Sequence, residues 1–310
     1  MKRFIFLLGI LLILAGCAPD NPRKTEDKLN IVTVIFPAYD FARNIAGDQA
    51  AVSMLLKPGA ESHSYEPTPQ DILKIKNCDV FIYTGGESDE WVNRILASLD
   101  TGRIKIIRML DCVPAFTEEL VEGMQAEETA ESKEPEYDEH VWTAPQNAAR
   151  IVQKITDALC AVDAPNAAVY RQNNAAYLAK LDALDNDVRQ VIQKAKNKTL
   201  VFGDRFPFRY FTESYGLKYF AAFPGCAAET EANAATVKFL IDKVRAEKIP
   251  VVLHIEFSDR KMARTISEAT GAQVRQLNAV HNISRADFQK GLGYLELMRQ
   301  NIEVLKEALL

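Results

Sequence analysis

The sequence predicts an α/β protein of two lobes, each with a parallel sheet, joined by a long rigid helix. Three observations carry this prediction. Between Leu29 and Met109, short apolar runs alternate with helical segments at the pitch of βα units. The same alternation returns between Thr199 and Leu277. Between these halves lies helical sequence without a strand signal, Ala148–Ala161 and Asn166–Lys196.

In the first half the predicted strands are Leu29–Ile35, Val52–Leu56, Asp79–Thr84 and Ile104–Met109, with helices over Tyr39–Ala46, Pro69–Lys76 and Glu90–Leu99. The helix at Pro69 has the clearest start. Thr68 can cap it, Pro69 suits its first position, and Asp71 favours the positive end of its dipole. In the second half the strands are Thr199–Phe202, Leu217–Ala222, Val251–Phe257 and Gln273–Leu277. Helices are expected over Phe208–Tyr215, Ala234–Glu247 and Lys261–Thr270, and a final one from Phe288 to Leu310. In the middle, Tyr177, Leu181, Leu184, Val188 and Val191 recur at spacings of three and four, one buried helical stripe. That helix would span roughly 45 Å at 1.5 Å per residue, a stiff spine. Two helices broken near Asp185-Asn186 are the alternative. The expected domains are an N-terminal lobe over 29–147, linking helices over 148–197 and a C-terminal lobe over 198–310.

The N-terminus locates the protein. Met1-Lys2-Arg3 is basic, and Phe4–Ala15 is an apolar run broken only by Gly9, too short for a comfortable membrane span. It ends in Leu14-Ala15-Gly16-Cys17, which resembles a bacterial lipobox. That resemblance implies a signal peptide over 1–16, lipidation of Cys17, and a tether over 17–28. An ordinary signal peptide with an incidental cysteine is the alternative. The expected location is extracytoplasmic, lipid-anchored to the bacterial membrane.

Apolar residues make up 48% of the chain and charged residues 25%, as in a soluble globular protein. A net charge of −5 lacks the basic footprint that nucleic acid requires. Cys78, Cys112, Cys160 and Cys226 show no CxxC zinc spacing. Export permits disulfides among them, their pairing is open, and buried free thiols are an equal alternative. Between Glu118 and Glu139 stand ten acidic residues and one basic residue, Lys133. With few apolar residues, this segment is expected to be a mobile, solvated loop, or else a weak, screened attractor of cations.

Only four histidines occur, so each can be weighed. His63 lies in Pro58–Asp71, PGAESHSYEPTPQD, a polar loop between a strand and a helix. That is the edge where open α/β sheets bind ligands. His140 lies in Asp138-Glu-His140-Val-Trp-Thr-Ala-Pro145, again just before a proline-initiated helix. With the lipobox, PGAESHSYEPTPQDI, EHVWTAPQNA and the long central helix, the chain resembles the metal-binding lipoproteins of bacterial zinc and manganese ABC importers. These are the cluster A-I solute-binding proteins. YFTESYGL at 210–217 and GYLELMRQNIEVLKEAL at 293–309 extend the resemblance over nearly all of the mature chain. It implies one metal in the cleft between the lobes, with His63 and His140 as ligands. It also implies a membrane permease as partner. A monomer is expected.

The next ligand position of that family falls on Arg205, ten residues before Tyr215, within Gly-Asp204-Arg205-Phe-Pro-Phe. A guanidinium cannot ligate a cation, so Arg205 is expected to point away or to pair with a carboxylate such as Asp204. The last family position falls near Asn278, a poor ligand. His281, in the loop after strand Gln273–Leu277, is the expected replacement, with a surface loop histidine as its alternative. Glu256, at the end of strand Val251–Phe257, is the expected carboxylate ligand; an ion pair, for instance with Arg205, is the other reading. His254, deeper on that strand, is expected as a hydrogen-bonded core residue. Glu66 is expected beside the site, orienting an imidazole.

Three imidazoles with at most one carboxylate suit tetrahedral Zn²⁺ as the transported ligand, whereas manganese prefers more oxygen. A manganese-binding importer component, a zinc-dependent hydrolase and an adhesin are the alternatives. No HExxH and no nucleophile elbow supports the hydrolase, and no catalytic residue is expected.

Overall fold

In the computed structural model, residues 28–62, 64–124, 136–226 and 233–310 are described. The lipobox with Cys17, and His63, lie outside the described residues.

The first sheet is built from β1 (Leu29–Thr33), β2 (Ala50–Met54), β3 (Val80–Tyr83) and β4 (Lys105–Arg108). All neighbours are parallel, in the order β2-β1-β3-β4. Helices α1 (Phe36–Ala46), α2 (Pro69–Lys76) and α3 (Glu90–Ser98) make the crossovers. The α2 start has the expected chemistry. Thr68 Oγ1 accepts from Asp71 N, and the Asp71 carboxylate accepts from Thr68 N, so each satisfies a backbone donor of the first turn.

After β4 come α4 (Pro145–Val162) and α5 (Ala167–Lys194), joined by a single 3₁₀ turn. The α5 helix is unbroken over 28 residues, about 42 Å at 1.5 Å per residue. Tyr177, Leu181, Leu184, Val188 and Val191 form its buried stripe. Asp185, at the site of the alternative break, instead accepts from Tyr215 Oη at 2.7 Å and Arg189 Nε at 2.8 Å, and from Gln146. Helix geometry survives because the short acidic side chain finds side-chain partners instead of competing for its own backbone.

The second sheet comprises β5 (Thr199–Phe206), β6 (Lys218–Pro224), β7 (Val251–His254) and β8 (Gln273–Gln276), in the order β6-β5-β7-β8. It repeats the topology of the first. Helices α6 (Arg209–Tyr215), α7 (Ala234–Ala246) and α8 (Lys261–Thr270) connect its strands. The single final helix expected from Phe288 is two, α9 (Arg285–Gln289) and α10 (Tyr294–Leu309). Gly291 between them has φ +75°, a left-handed backbone that breaks the helical run.

In both sheets the strand order reverses beside the first strand, which places ligand crevices at the carboxyl ends between β1 and β3 and between β5 and β7. These ends face each other. Phe36 N, just past β1, donates to His281 O at 3.3 Å, and Trp142 Nε1 donates to Ala279 O at 2.7 Å. One apolar core runs from the first sheet through α5 into the near face of the second, taking in Phe81, Tyr177, Phe202 and Leu253. A smaller cluster, with Val252, Leu240 and Ile266, lies under α7 and α8 on the far face. Asp40 on α1 ties the ends of the chain to the spine. Its Oδ2 accepts from Tyr177 Oη at 3.2 Å and from Tyr294 N at 2.9 Å.

The four cysteines after Cys17 are free thiols. Buried Cys78 donates its Sγ hydrogen to Ile75 O at 3.1 Å.

Candidate metal centre

His140 stands on the segment that enters α4. Its imidazole is fully buried, and its Nδ1 lies 2.9 Å from Asp138 Oδ1, which also accepts from His140 N at 2.8 Å. Two residues of backbone thus fold one carboxylate over both the ring Nδ1 and the backbone nitrogen of the same histidine. Burial above all, then the charges of His281 and Arg205, hold the His140 imidazole well below its ordinary pKa. It is neutral at pH 7, the form that ligates metals. Burial pushes Asp138 up to about 7, against the lowering effect of the His140 N–H. The backbone at the end of β6 closes over the ring: a Cβ on Gly225 would come within 2.8 Å of His140 Cε1, so only glycine permits this approach.

His281 stands opposite, in the loop after β8. The two rings meet edge to face with centroids 4.5 Å apart, and Trp142 touches both, at 5.6 and 5.5 Å. Zn–N bonds of about 2.0–2.1 Å require two ligating rings to lie within roughly 6.5 Å of each other, centroid to centroid. The observed spacing meets this. His281 Nδ1 lies 3.6 Å from Glu256 Oε1. His140 Nδ1 is thus hydrogen-bonded to a carboxylate and His281 Nδ1 faces one at longer range, an orientation in which a metal would be met by Nε2, as in a carboxylate–histidine–metal arrangement.

Glu256, expected as a ligand, is otherwise engaged. It uses Oε2 on Ala279 N at 2.6 Å and Oε1 on His281 N at 3.0 Å, so its geometry is that of a brace for the His281 loop. Asp204 is likewise a staple: Oδ1 accepts from Arg205 N at 2.8 Å and Oδ2 from Ile255 N at 3.2 Å, across a register shift in β5 between Phe202 and Arg205. Arg205 pairs with a carboxylate, as one of its two expected fates, but the partner is Glu61 at 3.4 Å, on the loop leading to His63, and not Asp204. His254 is buried, with Nδ1 2.8 Å from Ile255 O, and takes no part in the ring contacts. Glu66 is exposed.

A small cavity of about 20 Å³ adjoins His281 on the first-lobe side, room for about one water. Asp89 and Glu139 line it, and burial raises their pKa values to about 6 and about 8.

The acidic segment is ordered where it is described, contrary to expectation. Thr117 pairs antiparallel with Tyr137, Glu118 N donates to Glu136 O at 2.8 Å, and Asp138 N to Phe116 O at 2.9 Å. Its carboxylates have partners in the second lobe: Glu118 accepts from Cys226 N at 2.8 Å, Glu119 pairs with Arg209 at 3.0 Å, and Glu122 with Lys243 at 3.2 Å. The centre of the segment, 125–135, lies outside the described residues. Sequence reasoning passed over Asp138 as a site residue; its signal was an acid two positions before a candidate ligand.

The model of the family "Zinc-uptake complex component A periplasmic" matches residues 31–308, and that of the prokaryotic membrane lipoprotein lipid attachment site matches residues 1–18. The chain is 33% identical over 310 residues to the zinc-binding lipoprotein AdcA of Streptococcus pneumoniae, covering 99% of this chain but 61% of that protein. It is 30% identical to the high-affinity zinc uptake system protein ZnuA of Bacillus subtilis, covering 98% of this chain and 96% of the relative. Among solved structures, the Zn(II)-bound ZnuA-like domain of Streptococcus pneumoniae AdcA superposes with a TM-score of 0.76 at 30% identity, over 91% of this chain and 99% of that one. The chain belongs to the ZnuA family, the zinc-uptake complex component A proteins, and carries a lipoprotein attachment site at its N-terminus.

Proposed function

We propose that this chain is an extracytoplasmic lipoprotein that captures Zn²⁺ between its lobes and delivers it to an ABC-type importer. The observation that carries the reading is the pair of facing imidazoles, His140 and His281, drawn from opposite lobes, His140 with Nδ1 hydrogen-bonded to Asp138 and His281 with Glu256 3.6 Å from its Nδ1. His63 is the third ligand in this reading, from its place in the sequence. Glu256 orients His281 and does not ligate. Imidazole-rich coordination favours zinc over manganese, which takes more oxygen ligands. The partner is a membrane permease, the chain acts as a monomer, and zinc is cargo with no catalytic part. Zinc-binding relatives and the lipid attachment site support the same reading.

The test is titration of the chain with zinc against a competing chelator. One tight step per chain is expected, abolished in His140→Ala and His281→Ala. Two tight steps, or a tight step that survives both substitutions, would overturn it.

A further inference from the structure

The backbone that carries His281 is held from both sides. Before it, Val280 has φ +62°, a left-handed conformation in which a β-branched residue persists only where its surroundings impose it. Glu256 takes the N–H groups of Ala279 and His281. After it comes Asn282, only 2% exposed. Asn282 Nδ2 donates to both Lys57 O and Ala60 O, each at 2.8 Å, and Asn282 Oδ1 accepts from Ile283 N at 2.8 Å. A carboxamide nitrogen carries two hydrogens, and each meets one of these carbonyls. The three contacts also fix which end of the amide is nitrogen, since two carbonyls face one end and an N–H the other.

Lys57 and Ala60 belong to one turn of the first lobe, closed by Ala60 N donating to Lys57 O at 3.0 Å. That turn is pinned further by Gly59 N to Ile283 O at 2.8 Å and Arg285 Nε to Pro58 O at 3.3 Å. A single buried side chain adjacent to His281 therefore grips the turn that opens the PGAESHSYEP loop.

We propose that Asn282 is a positioning residue for metal capture: by clamping the Lys57–Ala60 turn it holds His281 in its ligating pose. The proposal rests on the reading that His281 binds zinc. Without the clamp, the His281 loop loses its buried side-chain grip on the first-lobe turn and is held by Glu256 and by backbone contacts alone, which loosens the pose of the imidazole.

The test uses the mature full-length chain with Asn282→Ala and Asn282→Asp, the second presenting oxygen to the two carbonyls in place of donors. Zinc affinity by chelator competition, the visible absorption spectrum of the Co²⁺-loaded chain, and the melting temperature of the metal-free chain are measured together. Expected is a several-fold loss of zinc affinity, smaller than the roughly 10–100-fold that goes with removing a ring's own hydrogen-bond partner because Asn282 acts through backbone, with an altered Co²⁺ spectrum. Should the aspartate variant not fold, Asn282→Ala decides. Native affinity and an unchanged spectrum in folded Asn282→Ala would overturn the proposal, even with a lowered melting temperature, because that is what a merely structural residue gives. His281→Ala separates the two claims. If it binds zinc like the native chain, the ligand reading fails; if it loses zinc while the Asn282 variants keep it, only the positioning role fails.

Discussion

The two lobes share a strand order yet hold their histidines by different means. In the first lobe His140 is gripped at ring and backbone together: Asp138 takes both Nδ1 and N–H, Gly225 presses on the ring, and the acidic hairpin stem ties the whole to the second lobe. In the second lobe His281 is gripped mainly through its backbone, by Glu256 on two N–H groups and by contacts that cross to the first lobe. The difference teaches that a carboxylate bonded to the ring itself is the source of precision at His140, and carboxylate and carbonyl contacts to the backbone the source at His281. It also explains how β5 can carry Arg205 where relatives are expected to carry a ligand. A guanidinium paired with Glu61 ties the lobes by charge, a link that needs no metal.

The largest effect should come from deleting either imidazole. His140→Ala and His281→Ala should each weaken zinc binding by more than the roughly 10–100-fold that outer partners command. Native affinity in one variant, measured by chelator competition, would show that only one lobe contributes. Next in size is Asp138→Asn, which keeps the shape but removes the charge behind His140. A loss on the order of 10–100-fold is expected, and Glu256→Gln should lose less, because its grip is on backbone. The reverse ranking would break the comparison.

A smaller effect concerns pH and the metal-free chain. Burial raises Asp138 to about 7, Glu139 to about 8 and Asp89 to about 6, so folding takes up protons at these carboxyls. Their contribution is fully present at low pH and is lost as pH rises through those values. His140 and His254 are lowered by burial, so they contribute in the opposite sense, losing stability as pH falls through the unfolded imidazole value near 6.5. Melting temperature should therefore rise by a few degrees, on the order of 1 kcal/mol, from pH 8 to about 6.5, and rise more gently below that, where the two lowered imidazoles offset part of the gain from the three raised carboxyls. A monotonic rise with pH would contradict the burial of the acids. The smallest effect is that of deleting residues 125–135. Equilibrium zinc affinity should stay within about twofold of native, and any slowing of capture should fade with salt, since exposed charges are screened beyond roughly 8 Å at physiological ionic strength.

Much of the fold was legible because local chemistry and tertiary placement agree. Thr68-Pro69-Gln70-Asp71 announces α2, and the stripe from Tyr177 to Val191 announces α5. His140 and His281 were legible as strand-edge histidines. What the sequence hid depends on contacts far apart in the chain. The hydrogen bonds of Glu256 to backbone nitrogens 23 and 25 residues away leave no pattern in the sequence. Asn282 meets Lys57 across 225 residues and looked like any loop asparagine. The acidic segment looked unable to pack, since composition does not reveal that Cys226 N, Arg209 and Lys243 await its carboxylates.

Zinc-edge anomalous scattering from crystals of the zinc-loaded chain tests the central claim most directly. The account predicts one strong peak bonded to Nε2 of both His140 and His281, with each Nδ1 still turned to Asp138 and Glu256. A peak bonded to only one of these imidazoles, or bound through Nδ1, would contradict it.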